Sequence, residues 1–136
     1  MKAYVLILFL AAYQSFAHRT TLSDIRRLWR RIAGPFESEC IRNTSVQLST
    51  VDEFHEYGAL PDDPDLKCYF RCAGSKLQIL NSAGGINVEK MAQIVDYVDP
   101  ALAQKCSKIV KHPDPCQKAY LLVRCLHDNL SLRYLL

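Results

Sequence analysis

Leu22, Ile25, Leu28, Trp29 and Ile32 recur at intervals of three and four, with polar residues between them. That spacing lays one apolar stripe along a first helix over residues 21–32. Gly34-Pro35 predicts a break or kink, because proline has no N–H to give and crowds the preceding turn. A further turn then carries Phe36 and Cys40. Thr50-Val51-Asp52-Glu53 matches a capping box and predicts a short second helix to Tyr57, ended by Gly58. Asp63-Pro64 is a helix start: the carboxylate accepts from a free N–H, and proline at the first helical position loses no bond. The third helix is expected to run from there to about Leu80, followed by a flexible connection at Asn81-Ser82-Ala83-Gly84-Gly85.

Asn87 predicts the cap of a fourth helix, with Met91, Ile94, Val95 and Val98 on its inward side. Asp99-Pro100 opens a fifth, through Cys106 to about Lys111, and Asp114-Pro115 a sixth, through Cys116 and Cys125 to about Asp128. No run alternates with period two, so the expected class is all-α with no sheet.

The first 17 residues change the picture of where the chain works. Lys2 precedes an apolar run from Tyr4 to Tyr13, and Ser15-Phe16-Ala17 is a small-x-small cleavage site. These are the parts of a secretory leader, which places the mature chain at residues 18–136 as one domain. Ten apolar residues are too few to span a bilayer. The expected location is therefore secreted and extracellular. Without Lys2, 16 basic residues face 14 acidic ones. That balance gives no reason to expect nucleic acid as a partner. Arg26, Arg27, Arg30 and Arg31 cluster on the first helix and are expected to form its solvated face. Asn43-Thr44-Ser45 and Asn129-Leu130-Ser131 match the glycosylation sequon.

Six cysteines in an exported chain of this size read as three disulfides, for which 15 pairings exist. Cys68 and Cys72 lie four apart, roughly 40° around one helix, so each is expected to bond a different element. Cys116 and Cys125 lie nine apart, roughly 180° around the sixth helix, and are expected to bond on opposite flanks. Between them Ala119 to Val123 is apolar on nearly all sides, the mark of a helix in the middle of a bundle.

Catalytic and metal patterns are missing. His18, His55, His112 and His127 are scattered; there is no His-Glu-x-x-His helix, no Gly-x-Ser-x-Gly turn and no phosphate loop. His127 beside Asp128 reads as a polar helix end. No enzyme activity, cofactor or metal is expected. What remains is apolar. Trp29, Phe36, Phe54, Phe70, Met91, Ile94, Val95, Tyr120 and Val123 fall on inward faces, where they either fill a core or line a cavity.

The spacing Cys40-x27-Cys68-x3-Cys72-x33-Cys106-x9-Cys116-x8-Cys125 resembles that of the insect pheromone and general odorant-binding proteins of six-cysteine type, most specifically in its x3 and x8 intervals. The resemblance extends over the whole mature chain. It implies six helices around an internal hydrophobic pocket and bridges Cys40–Cys72, Cys68–Cys116 and Cys106–Cys125. It further implies a carrier of small apolar molecules through aqueous fluid, often towards membrane receptors, and does not imply a role in smell; the expected partners are a small apolar ligand and a membrane olfactory receptor, and the expected state is a monomer or weak homodimer. The candidate ligand-binding residues are Trp29, Ile32, Phe54, Phe70, Met91, Ile94, Val95, Tyr120, Val123, Tyr134 and Leu135. Tyr120 and Tyr134 are the expected hydrogen-bonding groups. In some family members a C-terminal tail covers the pocket and loosens in acid; here Tyr134, Leu135 and Leu136 are expected to form that lid, with His127 at its root. The alternatives are a salivary, reproductive or defensive scavenger of the same fold, a helical extracellular signal, and, more remotely, a secreted helical lipase.

Overall fold

The computed structural model describes residues 19–135 together with Val5. The expected leader, its cleavage site and Leu136 lie outside the described residues apart from Val5. Among the described residues there are six helices: α1 (Leu22–Thr44), α2 (Leu48–Tyr57), α3 (Pro64–Lys76), α4 (Val88–Ile94), α5 (Pro100–Ile109) and α6 (Pro115–Ser131). The only pairing of extended chain among them is one isolated antiparallel bridge, Leu80 with Ile86.

The three Asp-Pro starts form as the sequence predicts. Asp63 accepts from the N–H of Asp65, Asp99 from that of Leu102, and Asp114 from that of Cys116. Thr21 and Asp24 form a reciprocal capping box at the head of α1. Asn87 caps α4 through the N–H of Lys90.

α5 and α6 end within three residues of the sequence expectation, at Ile109 and Ser131, and four other boundaries differ from it more instructively. α1 runs on through Pro35 for 23 residues. Proline inside a helix costs about 3 kcal/mol, and anchors on both sides of it offset that cost. Arg30 donates to Glu37 at 3.0 Å and to Asp52, and the fully buried Cys40 is bonded to Cys72. The capping box at Thr50 does not form. α2 starts earlier, at Leu48, with no side-chain cap from Gln47. Val46 and Val51, which hold the positions of a hydrophobic staple, are both buried and fix the entry instead.

α3 stops at Lys76 rather than Leu80, because Gln78 turns left-handed and the N–H groups of Ile79 and Leu80 both return to the carbonyl of Gly74. Leu80 then packs over Gly74, where a Cβ would lie 2.9 Å from the leucine side chain. α4 ends at Ile94. Val95 is extended, Tyr97 is left-handed at φ 67°, and Val98 is buried outside the helix. The backbone there has to turn into the Asp99-Pro100 start, and Trp29 Nε1 holds the turn by donating to the Asp96 carbonyl at 2.9 Å.

α3 packs most closely on α6 and also against α1, while α5 packs on α4 and α6. Three disulfides tie these contacts: Cys40–Cys72 joins α1 to α3, Cys68–Cys116 joins α3 to α6, and Cys106–Cys125 joins α5 to α6. Both cysteines of α3 therefore bond different elements, and α6 is fastened at both ends.

The arginine cluster is not one solvated face. Arg27 is exposed and Arg30 is half-buried in its ion pairs, but Arg26 is only 2% exposed. Its guanidinium donates to the carbonyls of His55 and Glu56 at the C-terminal end of α2, and its Nη1 lies 3.0 Å from His127 Nε2. A cation is favoured at a helix C-terminus, where unpaired carbonyls carry partial negative charge.

Candidate ligand-binding cavity

A cavity of about 110 Å³ lies between six parts of the chain. α1 contributes Trp29, Ile32 and Ala33, and α2 contributes Phe54 and His55. α3 provides Tyr69, Phe70, Ala73 and Gly74. The segment after it adds Leu77, Ile79 and Leu80, α4 and its C-cap add Met91 and Val95, and α6 completes the wall with Ala119, Leu122, Val123 and Leu126. α5 contributes nothing to the wall. Phe54, Met91, Tyr69 and Ala119 are almost completely buried, whereas Ile32, Leu77, Val95 and Val123 keep some exposure.

The shape of the cavity follows from backbone choices already described. The early end of α3 lets Leu77, Ile79 and Leu80 fold across one side, and Gly74 admits Leu80 at close range. Phe54 meets Phe70 edge-on with ring centroids 5.2 Å apart, a favourable aromatic arrangement that fixes the α2–α3 side.

Polar groups in the wall are few. Trp29 spends its N–H on Asp96. His55 Nδ1 lies 3.3 Å from the Arg26 carbonyl, which makes it the protonated nitrogen and leaves Nε2 as an acceptor. Burial, helped by the positive charges of Arg30 and Arg26, lowers the His55 pKa to about 4, so the ring is neutral in ordinary fluids. Tyr69 is 2% exposed, and its hydroxyl is buried with no hydrogen-bond partner in the protein. Burial also raises its pKa well above the usual phenol range, so it remains a neutral donor.

Of the residues expected from sequence, Trp29, Ile32, Phe54, Phe70, Met91, Val95 and Val123 are placed on the cavity wall. Ile94, Tyr120, Tyr134 and Leu135 are not. Ile94 packs against the core as the last residue of a helix one turn shorter than its apolar stripe suggests. Tyr120 is buried, but its hydroxyl donates to the Leu60 carbonyl at 2.8 Å and its ring lies under the Lys67 ammonium. Its polar atom holds the α2–α3 loop to α6.

The C-terminal tail is also elsewhere. The Leu135 carbonyl accepts from the N–H of Leu22, satisfying a free donor at the head of α1. Tyr134 stacks edge-on against Tyr97, and the Leu135 side chain is 72% exposed. No described tail residue lines the cavity, which removes the geometric basis for the expected lid. Sequence reasoning missed His55, Tyr69, the 77–80 segment, the small residues Ala33, Ala73, Gly74 and Ala119, and Leu122 and Leu126 of α6. Tyr69 was legible in one respect: it stands between Cys68 and Phe70 on a helix whose two cysteines both point inward.

Among the described residues, six helices, three bridges and an almost wholly apolar cavity define a small disulfide-braced helical bundle of the binding-protein type. The model of the PBP/GOBP family matches residues 30–129, and the chain belongs to that family. It is similar to odorant-binding protein 10 of Aedes aegypti, 27% identical over 100 residues, covering 69% of this chain and 70% of the relative. General odorant-binding protein 19d of Drosophila melanogaster is 25% identical over 109 residues, covering 73% and 72%. Among solved structures, Apis mellifera odorant binding protein 5 superposes with a TM-score of 0.60 at 19% identity, covering 79% of this chain and 93% of that one. Anopheles gambiae odorant binding protein 7, solved with four disulfide bridges and an azo compound, gives 0.58 at 21%, covering 74% and 85%. At those identities the likeness establishes the fold.

Proposed function

We propose that the chain is a secreted carrier that takes small apolar molecules into this cavity and moves them through aqueous fluid, with delivery to membrane olfactory receptors as its destination. The observation that carries the reading is the cavity itself: an apolar space bounded by five helices and the 77–80 segment. Its similarity to the odorant-binding proteins named above supports the ligand class. No helix among the described residues is long and apolar enough to cross a membrane. The predicted leader supplies the argument for export.

The driving force is burial. Each CH₂ removed from water contributes about 0.8 kcal/mol, so a ligand with about six carbons gains roughly 5 kcal/mol, a dissociation constant on the order of 100 µM. Size sets the second constraint. A dry cavity of about 150 Å³ is known to admit benzene, and drug-sized ligands occupy several hundred. The cavity here, about 110 Å³, is smaller than either and suits compact molecules of about six non-hydrogen atoms or fewer.

Headspace gas chromatography over solutions of the mature protein tests this. Volatiles of that size should be depleted from the gas phase in proportion to protein. Ala73→Trp, which fills the cavity from α3, should bind at least tenfold more weakly with its helical circular dichroism retained. Equal depletion by both proteins, or none by either, would overturn the proposal.

A further inference from the structure

We propose that the exported chain carries an N-linked glycan on Asn43, at the end of α1, and none on Asn129, the asparagine of its other glycosylation sequon. The assignment rests on the export argued above and not on any ligand.

Attachment is a group transfer. In the secretory lumen the donor is a lipid-linked oligosaccharide diphosphate, and the acceptor is the side-chain amide of Asn in Asn-x-Ser/Thr. A bond forms between Nδ2 and C1 of the first sugar while the C1–O bond to the diphosphate breaks. The lipid diphosphate leaves with the electron pair, and Nδ2 gives up one proton. Asn43-Thr44-Ser45 and Asn129-Leu130-Ser131 both satisfy the local rule. The chain meets the donor before it has folded, so the fold decides which attached sugar the finished domain can carry.

Asn43 meets that demand. It is exposed in the last turn of α1, and none of the side-chain hydrogen bonds among the described residues engages its amide. It opens onto a groove of about 460 Å³ whose wall includes Thr44, Asp65, Arg71 and Ser75. Those side chains offer donors and acceptors to sugar hydroxyls. No residue of this groove belongs to the apolar cavity. Ser45, which completes the sequon, is exposed and holds the C-cap of α1 in the left-handed conformation at φ 62°. That position favours glycine or asparagine, so serine weakens the cap while supplying the hydroxyl the motif needs.

Asn129 does not meet it. The residue is half-buried on α6, and its Nδ2 faces inward. One N–H donates to the Cys125 carbonyl at 2.7 Å, and the sulfurs of Cys125 and Cys106 lie 3.7 and 4.0 Å from the same nitrogen. Its Oδ1 accepts from Lys105 at 2.8 Å. A sugar in place of either hydrogen would run into the backbone of α6 or into the Cys106–Cys125 bridge. Leu130, the middle residue of this sequon, is completely buried. To carry a glycan, Asn129 would have to swing out and give up every one of these contacts where α5 closes on α6.

The test expresses the full chain, leader included, in insect cells. Glycopeptides of the secreted protein are mapped by mass spectrometry, and its gel mobility is compared before and after enzymatic removal of N-glycans. Wild type should show a single downward shift on deglycosylation, with the sugar on the peptide that holds Asn43. Ser45→Gly and Asn43→Gln should each abolish the shift; the first keeps the asparagine and suits the left-handed cap. Ser131→Ala removes the second sequon, leaves Asn129 in place and should keep the shift unchanged.

Sugar on the Asn129 peptide of the secreted protein, secreted wild type with no sugar, or a shift that survives Asn43→Gln would each overturn the assignment and leave the carrier reading standing. A chain held inside the cell with its leader uncut would overturn the export reading, and the assignment with it.

Discussion

Arg26 Nη1 lies 3.0 Å from His127 Nε2, bringing together a guanidinium near the start of α1 and an imidazole near the end of α6. An arginine can only donate, so Nε2 must be the unprotonated nitrogen. The remaining guanidinium donors hold the carbonyls of His55 and Glu56, so one side chain fastens the two ends of the chain's helical core to the end of α2. Protonating His127 would remove the acceptor and set two cations in contact.

This sets the direction of a pH response. Burial, then the Arg26 charge, lowers the His127 pKa, with Asp128 opposing; burial, Arg30 and Arg26 lower that of His55 to about 4, against Asp52 and the Arg26 carbonyl. Both rings bind protons more readily when unfolded, near the ordinary histidine value of about 6.5. Stability is therefore full above about pH 6.5 and falls as pH drops towards 4. His55 alone accounts for roughly 2–4 kcal/mol of that loss. Urea denaturation across this range should show the midpoint dropping. His127→Gln, whose side-chain oxygen can still accept from Arg26, should flatten the slope; an unchanged slope in that variant would remove His127 from the account.

Gly58 closes the same node. It caps α2 at φ 74°, and a Cβ there would lie 3.1 Å from both Arg26 Nη1 and the His127 ring. Gly58→Ala should cost about 1–3 kcal/mol from the left-handed backbone and the displaced pair. A thermal melt shifted by less than a degree would show that the pair gives way freely.

The bridges are expected to differ in what they protect. Cys106–Cys125 closes 19 residues and holds α5, which forms none of the cavity wall. Removing it by the double change Cys106→Ala and Cys125→Ala should cost about 3 kcal/mol on loop entropy and leave volatile binding within twofold. Cys68–Cys116 closes 48 residues and joins two cavity walls. Its removal should cost about 4 kcal/mol and weaken binding more than fivefold. Equal binding losses from the two double variants would contradict this division.

The tail offers a contrast between sequence expectation and structure. Because Leu135 bonds Leu22 and Tyr134 stacks on Tyr97, removing residues 133–136 should lower the melting temperature by a few degrees through loss of that closure. Headspace affinity should stay within twofold. A loss above tenfold would restore the tail as a cover of the cavity.

Much of the architecture was legible because it is written in local chemistry. Asp63-Pro64, Asp99-Pro100 and Asp114-Pro115 start helices wherever they occur, since capping and proline geometry act within one turn. The opposed cysteines of α6 and the paired cysteines of α3 follow from helical angles, and the cysteine intervals pointed to a family whose bridge pattern the structure displays. Seven of the eleven expected wall residues lie on inward stripes that the cavity does use.

Contacts between distant segments decided the rest. Pro35 stays inside α1 because Asp52 and Cys72 hold the helix on either side of it, and neither of those partners is visible in the local pattern. Arg26 is buried because α2 ends over it. Tyr120 and Tyr69 look alike in sequence, each a tyrosine on an apolar helix face. One hydroxyl meets the Leu60 carbonyl and the other meets no partner, a difference that depends on where a loop 60 residues away in the chain comes to rest. Periodicity reports which side of a helix turns inward; whether that side finds a neighbour or a space is settled only when the other helices arrive.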